Sequence, residues 1–199
     1  QKADAIIATV RSLLKSFKIK VYDEDTGYGL LRYVLIRKAE FTNEIMVVLV
    51  TASPVFPSKR NFVDALRREH PEITTVVQNV NDRTDSLVLG SKYQVLWGKG
   101  YIVDRLCGCS FKISPGSFYQ VNPIQAQKLY EKAIELADLT GKETVVDAYC
   151  GTGTIGMIAA KKAGKVFGVE SNPDAVRDAV GNAKANDVKN IRFYREDAG

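Results

Sequence analysis

Residues 145–156 read Val-Val-Asp-Ala-Tyr-Cys-Gly-Thr-Gly-Thr-Ile-Gly: a hydrophobic run closing on an acid, then a glycine turn, then a helical pattern. A strand that ends in a glycine turn and feeds a helix opens a βα unit. The rhythm continues: the pattern predicts a strand over 144–148, a helix over 154–163, a strand over 165–169, a helix over 173–185 and a strand over 190–194. Such alternation calls for a parallel sheet, with ligands bound outside the carboxyl ends of its strands. This half of the chain therefore predicts an α/β fold, a partial Rossmann-like sheet.

The preceding residues have a different texture. Ala5, Ile6, Val10, Leu13, Leu14 and Phe17 recur at helical spacing, so a helix is predicted over 3–17. Residues 30–37 and 45–51 predict an antiparallel strand pair joined through Thr42-Asn43. A helix over 60–69 and strands over 74–79, 87–89, 93–97 and 101–103 follow. Residues 110–114 and 117–121 are strand-like, and Pro123 starts a helix that Gly141 ends. The organisation expected is an α+β central domain over 1–108 and the sheet-forming half over 109–199.

The glycine turn admits two cofactor readings. Gly151-Thr152-Gly153-Thr154-Ile155-Gly156 fits the dinucleotide fingerprint G-x-G-x-x-G. Asp147, four positions before Gly151, argues against it, because a carboxylate there repels a pyrophosphate. The same carboxylate favours the sulfonium and ammonium groups of S-adenosylmethionine. Glu170, at the end of the next strand, can accept both hydroxyls of a ribose, which either cofactor carries. Asp197, just after the third strand, can accept from an adenine amino group. Gly151 and Gly153 let backbone approach a ligand closely. The expected fold class is thus a class I S-adenosylmethionine methyltransferase sheet, partial, behind an α+β domain.

Composition adds boundaries. No apolar run approaches 18 residues, which excludes a membrane-spanning helix on sequence grounds. The formal charge of +5 suits a nucleic-acid partner without requiring one. Three cysteines, Cys107, Cys109 and Cys150, give no even disulfide framework, so a reducing, cytoplasmic setting is expected. Cys150 is expected to fill space rather than react. His70 is expected in an exposed loop. RNA-contact candidates are Arg32, Arg37, Lys38, Lys59 and Arg60, with Tyr33 as a stacking surface.

Two motifs carry a family resemblance: Ser114-Pro115-Gly116-Ser117-Phe118-Tyr119-Gln120-Val121-Asn122-Pro123 and Asp147-Ala148-Tyr149-Cys150-Gly151-Thr152-Gly153. In content, order and separation they resemble the RNA uridine-5-methyltransferases, most closely the bacterial enzymes acting on 23S ribosomal RNA. The resemblance implies methyl transfer from S-adenosylmethionine to carbon 5 of a uridine, with RNA as partner, ribosomal rather than transfer RNA. It implies that Gln120 touches cofactor and target, and that Phe118 packs near the flipped uracil. It implies Tyr149 along the adenosine or methionine portion of the cofactor, Thr154 near its methionine end, Glu170 at the ribose and Asp197 at the adenine. In the family a cysteine thiolate adds to carbon 6 of the uracil, and a base later removes the carbon-5 proton.

By that resemblance the nucleophile and base are expected downstream of Gly199, and no catalytic residue is expected within this chain. The family's iron–sulfur cysteines, where present, lie upstream, and no metal ligand set is expected here. The chain, which begins at Gln1, is expected to be a piece of a longer one. A sheet missing its fourth strand would leave the 144–148 edge bare, to be covered by another chain or by a continuation past Gly199. Two other readings stay open: a class I methyltransferase with a different substrate, and a non-catalytic fragment that binds cofactor or RNA only.

Overall fold

The computed structural model describes residues 2–198 and divides into two compact units. Gly199, past which the nucleophile and base are expected, lies outside the described residues, as does Gln1. One unit holds the residues up to Ala39 together with Asn43–Ile102; the other holds Glu40–Thr42 and the residues from Val103 onward. The division falls near 102, ahead of residue 108, because strands on both sides of 108 pair as one hairpin.

In the first unit, helix α1 (Lys2–Ser16) buries Ile6, Val10 and Leu14, spaced four apart on one face. Strands β1 (Leu31–Lys38) and β2 (Ile45–Thr51) pair antiparallel, as the sequence pattern predicts. Helix α2 (Lys59–Glu69) then crosses over to β3 (Ile73–Val80), which runs parallel to β2, and β4 (Lys92–Trp97) closes the order β1-β2-β3-β4. All seven residues of β2 are buried, as befits a strand with neighbours on both sides. Ile45, Val47 and Leu49, alternate positions of β2, share one cluster with Ile6 of α1 and with Phe62 and Leu66 of α2.

Two expectations for this unit are corrected. Residues 87–89 form no strand: Asn81 donates its side-chain amide to the Leu87 and Val88 carbonyls at 2.7 and 3.0 Å, taking acceptors that a ladder would need. His70 is buried, not exposed, with Nε2 2.8 Å from the Thr9 hydroxyl.

The second unit opens with the hairpin of β5 (Ile102–Leu106) and β6 (Cys109–Ile113). Cys107 and Gly108 turn it, both at positive φ. Buried Asp104 of β5 accepts from the backbone N–H groups of Glu40 and Phe41 at 3.0 and 2.9 Å, which binds that short segment to this unit. Helix α3 (Pro123–Leu136) starts where predicted, capped by Asn122, whose side chain accepts from the Gln125 N–H. It stops before Gly141. Asp138 takes positive φ just past the last turn, and Gly141 sits further on, in a loop whose N–H groups Glu143 collects.

The βαβαβ unit follows: β7 (Thr144–Asp147), α4 (Thr154–Ala160), β8 (Lys165–Glu170), α5 (Pro173–Ala185) and β9 (Ile191–Arg195). The sheet is parallel, in the order β7-β8-β9, so the fold is the α/β type that the alternation predicts. Helix α4 ends three residues early, at Ala160, and residues 156–160 are all buried. β7 lies at the sheet edge, and Val146 on it is 62% exposed. Residues 117–121, read as strand-like, form an irregular loop instead; what holds that loop also builds the site.

Candidate functional site

β7 ends at Asp147, and the chain turns through residues 148–153 before α4 begins. Four hydrogen bonds fix the turn. Cys150 N–H donates to the Val169 carbonyl at 2.9 Å and Gly153 N–H to the Cys150 carbonyl at 2.8 Å. Gly151 N–H donates to Glu170 Oε2, and Gly156 N–H to Asp147 Oδ2, both at 3.0 Å. The two acids expected to meet ligand therefore also hold up the turn that would receive it. Glu170 spends its other oxygen on the Asn172 N–H at 2.8 Å, at the start of α5. That oxygen also accepts from the Ser171 hydroxyl at 3.4 Å, while Oε2 keeps a further lone pair for a ligand hydroxyl.

The two glycines differ. Gly151 (φ 54) has nothing within 4 Å of where a Cβ would point, so its bare side is open. A Cβ on Gly153 (φ 80) would lie 2.8 Å from the Phe193 ring and 3.2 Å from Ala179. The bare side of Gly153 is taken by β9 and α5, and it is Gly151 that presents uncovered backbone.

Burial raises the Asp147 pKa above its usual 3.8; the Gly156 N–H partly offsets this, and the nearby charge of Glu170 adds to it. Cys150 is 4% exposed, and burial followed by the charges of Asp147 and Glu170 pushes its thiol up to about 12. Its sulfur would stand 3.0 Å from a Cβ on Gly168, so it fills the gap between turn and sheet, as expected. A thiol held this far from ionisation makes a poor nucleophile.

The 114–120 loop reaches the same place through α5. Asp178, Asn182 and Asn186 repeat every four residues and line one face of that helix. Asp178, 1% exposed, accepts from the hydroxyls of Ser114 at 2.9 Å and Ser117 at 2.7 Å. Lys112 Nζ lies 3.6 Å away. Asn182 accepts from Lys112 N–H at 2.7 Å and donates to the Lys112 and Thr152 carbonyls at 3.3 and 3.2 Å. Asn186 pairs both backbone groups of Ser110, at 2.8 and 2.7 Å. The polar stripe thus acts as a strand edge toward β6 and ties that strand to the glycine turn. Sequence reasoning missed these three residues, although their spacing of four among alanines was there to be read.

A cavity of about 100 Å³ forms where loop and turn meet, walled by Phe118, Gln120, Tyr149, Gly151 and Thr154 among others. Gln120 points its amide at the Tyr130 hydroxyl, 3.3 Å away, while Phe118 and Tyr149 are 67% and 75% exposed. Of the expected site residues, five wall this cavity and Asp147 and Glu170 hold its turn. Gly153 is packed against Phe193, and Asp197 is exposed two residues beyond β9, outside the cavity wall. Among the described residues no group of three His, Cys, Asp or Glu could hold a metal ion, and no helix is long and apolar enough to cross a membrane.

The RNA-contact candidates of the first unit also separate. Arg32 is committed internally: its guanidinium pairs with Glu24 at 2.6 Å, donates to the Asn81 and Arg83 carbonyls, and lies 4.7 Å from the Tyr22 ring centroid. With its side chain 1% exposed it is a structural residue, which corrects that expectation. Tyr33 donates to the same Glu24, at 3.2 Å. Burial pulls the Arg37 pKa below its usual value. Lys38 and Arg60 are exposed and Lys59 is half-buried.

Residues 139–199 match a family model described as "Methyltransferase domain". Across 188 residues the chain is 42% identical to an uncharacterised RNA methyltransferase of Oceanobacillus iheyensis, covering 94% of this chain and 41% of the relative. A similar protein of Halalkalibacterium halodurans is 43% identical over 198 residues, covering 100% of this chain and 43% of the relative. The chain thus spans about two fifths of the length of these curated relatives. Among solved structures, the Pyrococcus abyssi tRNA (uracil-54, C5)-methyltransferase in complex with S-adenosyl-L-homocysteine superimposes with a TM-score of 0.81 at 30% identity, covering 98% of this chain and 46% of that one. The fold is therefore that of the class I methyltransferase sheet preceded by further α/β structure.

Proposed function

We propose that this chain is the cofactor-binding part of an RNA uridine-C5 methyltransferase, using S-adenosylmethionine as methyl donor. The observation that carries the reading is the cavity in which the 118–120 loop meets the 149–154 turn. One motif supplies groups suited to a target base and the other groups suited to the cofactor, and they converge on one small space.

The residues fit that cofactor. Gly151 offers open backbone, Glu170 Oε2 retains a lone pair for a ribose hydroxyl, and Asp147 places a half-buried carboxylate beside the turn. The Gly151 and Gly156 N–H groups, which a phosphate at this turn would draw on, are already spent on the two acids. When bound, the cofactor supplies an activated methyl group. The chain's own part is to hold the cofactor and, through Phe118 and Gln120, to position the uracil. Asp197 and Thr154 complete the adenine and methionine ends. The nucleophilic cysteine and the proton-accepting base come from residues downstream of Gly199, and the ligands of any iron–sulfur cluster from outside the chain as well.

We take 23S ribosomal RNA as the substrate, in a cytoplasmic setting, on the strength of the Ser114–Pro123 motif. The likeness to a transfer-RNA enzyme favours a second reading, transfer RNA. Methylating both transcripts with the whole protein and identifying the nucleoside by mass spectrometry tests both. 5-Methyluridine in ribosomal RNA supports the first target and in transfer RNA the second; a different methylated nucleoside removes the activity. We further propose that the bare edge of β7 is covered by another strand, from elsewhere in the protein or from a second copy.

A further inference from the structure

β4 is an edge strand with apolar and aromatic side chains at its surface. Tyr93, Val95 and Trp97 are 37%, 51% and 40% exposed along it. Exposed aromatic and aliphatic side chains side by side mark a contact surface. Between this strand and α2 runs a groove of about 160 Å³, walled by Lys59, Arg60, Val63, Gln94 and Trp97. Arg67 stacks on the Trp97 ring with its guanidinium carbon 3.2 Å from the centroid. Lys59 donates to the neutral Gln94 amide at 3.0 Å, a partner that leaves its charge uncompensated. One acid, Asp64, stands among the wall residues, 3.7 Å from Arg67.

Three cations, one acid and a half-exposed indole suit an anionic ligand with flat rings. We propose that this groove binds single-stranded RNA, with a base against Trp97 and the phosphates on Lys59 and Arg60. The inference rests on the methyltransferase reading for its ligand class, and on the groove alone for its location. Aromatic faces accept any base, and cations follow the backbone, so binding here would be tolerant of sequence and steep in salt.

Trp97 is the single tryptophan of the chain, so intrinsic fluorescence reports on this groove alone. Titration with an oligouridylate at low salt should quench that emission saturably, with a parallel rise in anisotropy of the labelled RNA. Trp97→Leu should weaken binding roughly tenfold. Lys59→Gln with Arg60→Gln should lower the slope of log affinity against log salt by about 1.4. Far-UV circular dichroism and thermal melts of the same samples show that each variant is folded, and calorimetry with S-adenosylhomocysteine tests the cofactor reading separately. RNA that binds while Trp97 emission stays constant, or a Trp97→Leu chain that holds RNA as tightly as before, overturns the groove and leaves the cofactor reading standing. Emission that responds only to protein concentration assigns the strip to self-association and equally overturns it.

Discussion

The Ser117 hydroxyl donates to Asp178 Oδ2 at 2.7 Å, and both residues are almost wholly buried. This bond spans 61 residues of sequence and fixes the loop that carries Phe118 and Gln120. Ser117→Ala strips a buried carboxylate oxygen of a donor, which should cost about 1–3 kcal/mol in urea unfolding. Asp178→Ala should cost more, since both Ser114 and Ser117 lose their acceptor. Both variants should weaken S-adenosylhomocysteine binding beyond what their loss of stability explains. Unchanged affinity in folded variants would mean that the loop does not shape the site.

The two turn glycines should fail in different ways. Gly153→Ala sets a methyl against the Phe193 ring in a left-handed conformation and should lower stability by roughly 2–3 kcal/mol. Gly151→Ala meets no atom within 4 Å, so its stability cost should be about 1 kcal/mol, from φ alone. Its methyl nonetheless projects into the space where we seat the cofactor, and affinity should fall tenfold or more. Thermal melts beside calorimetry separate the two effects.

Asp147 makes the site sensitive to pH, with opposite signs for folding and for binding. Its folded pKa lies above the unfolded value, so its contribution to stability is present below 3.8 and is lost as pH rises through the raised value. Asp147→Asn should therefore leave the empty protein as stable as before, or more stable, at neutral pH. A cationic ligand needs the ionised form, so S-adenosylmethionine affinity should fall on acidification at pH values above 3.8, while the uncharged thioether of S-adenosylhomocysteine should lose less. Calorimetry across pH with both ligands checks this. Equal pH profiles would separate Asp147 from the sulfur.

Cys150, with its thiol pushed up to about 12, should resist iodoacetamide at pH 8 until the chain is unfolded. Cys107, half-buried on its hairpin turn, should be alkylated first, although burial raises its pKa also. Peptide mass spectrometry after timed labelling distinguishes them, and fast modification of Cys150 in the folded chain would contradict its placement.

Much of this was legible in the sequence. Strand and helix periodicity located the βαβαβ unit: β8 buries the alternate residues Val166 and Gly168, and α5 buries Ala175, Ala179 and Ala183 at a spacing of four. The acids at strand ends announced themselves through the topology. What stayed hidden depends on tertiary partners. Residues 117–121 look strand-like, yet Asp178, on helix α5, claims the Ser117 hydroxyl. Residues 87–89 carry strand-formers, yet the Asn81 amide takes their carbonyls. His70, next to a proline and so read as exposed, is covered by the packing of α1 against α2. Arg32 looked like a free cation because nothing local shows that Glu24 and two carbonyls meet around it.

The central claim is that the head of the β7–α4 turn accepts a sulfur-centred nucleoside rather than a diphosphate. Calorimetric titration of the chain with S-adenosylhomocysteine and, separately, with NAD measures this directly. Saturable heat with the first, weakened tenfold or more by Gly151→Ala, and none with the second is the expected result. Saturable binding of NAD, with S-adenosylhomocysteine silent, would contradict it.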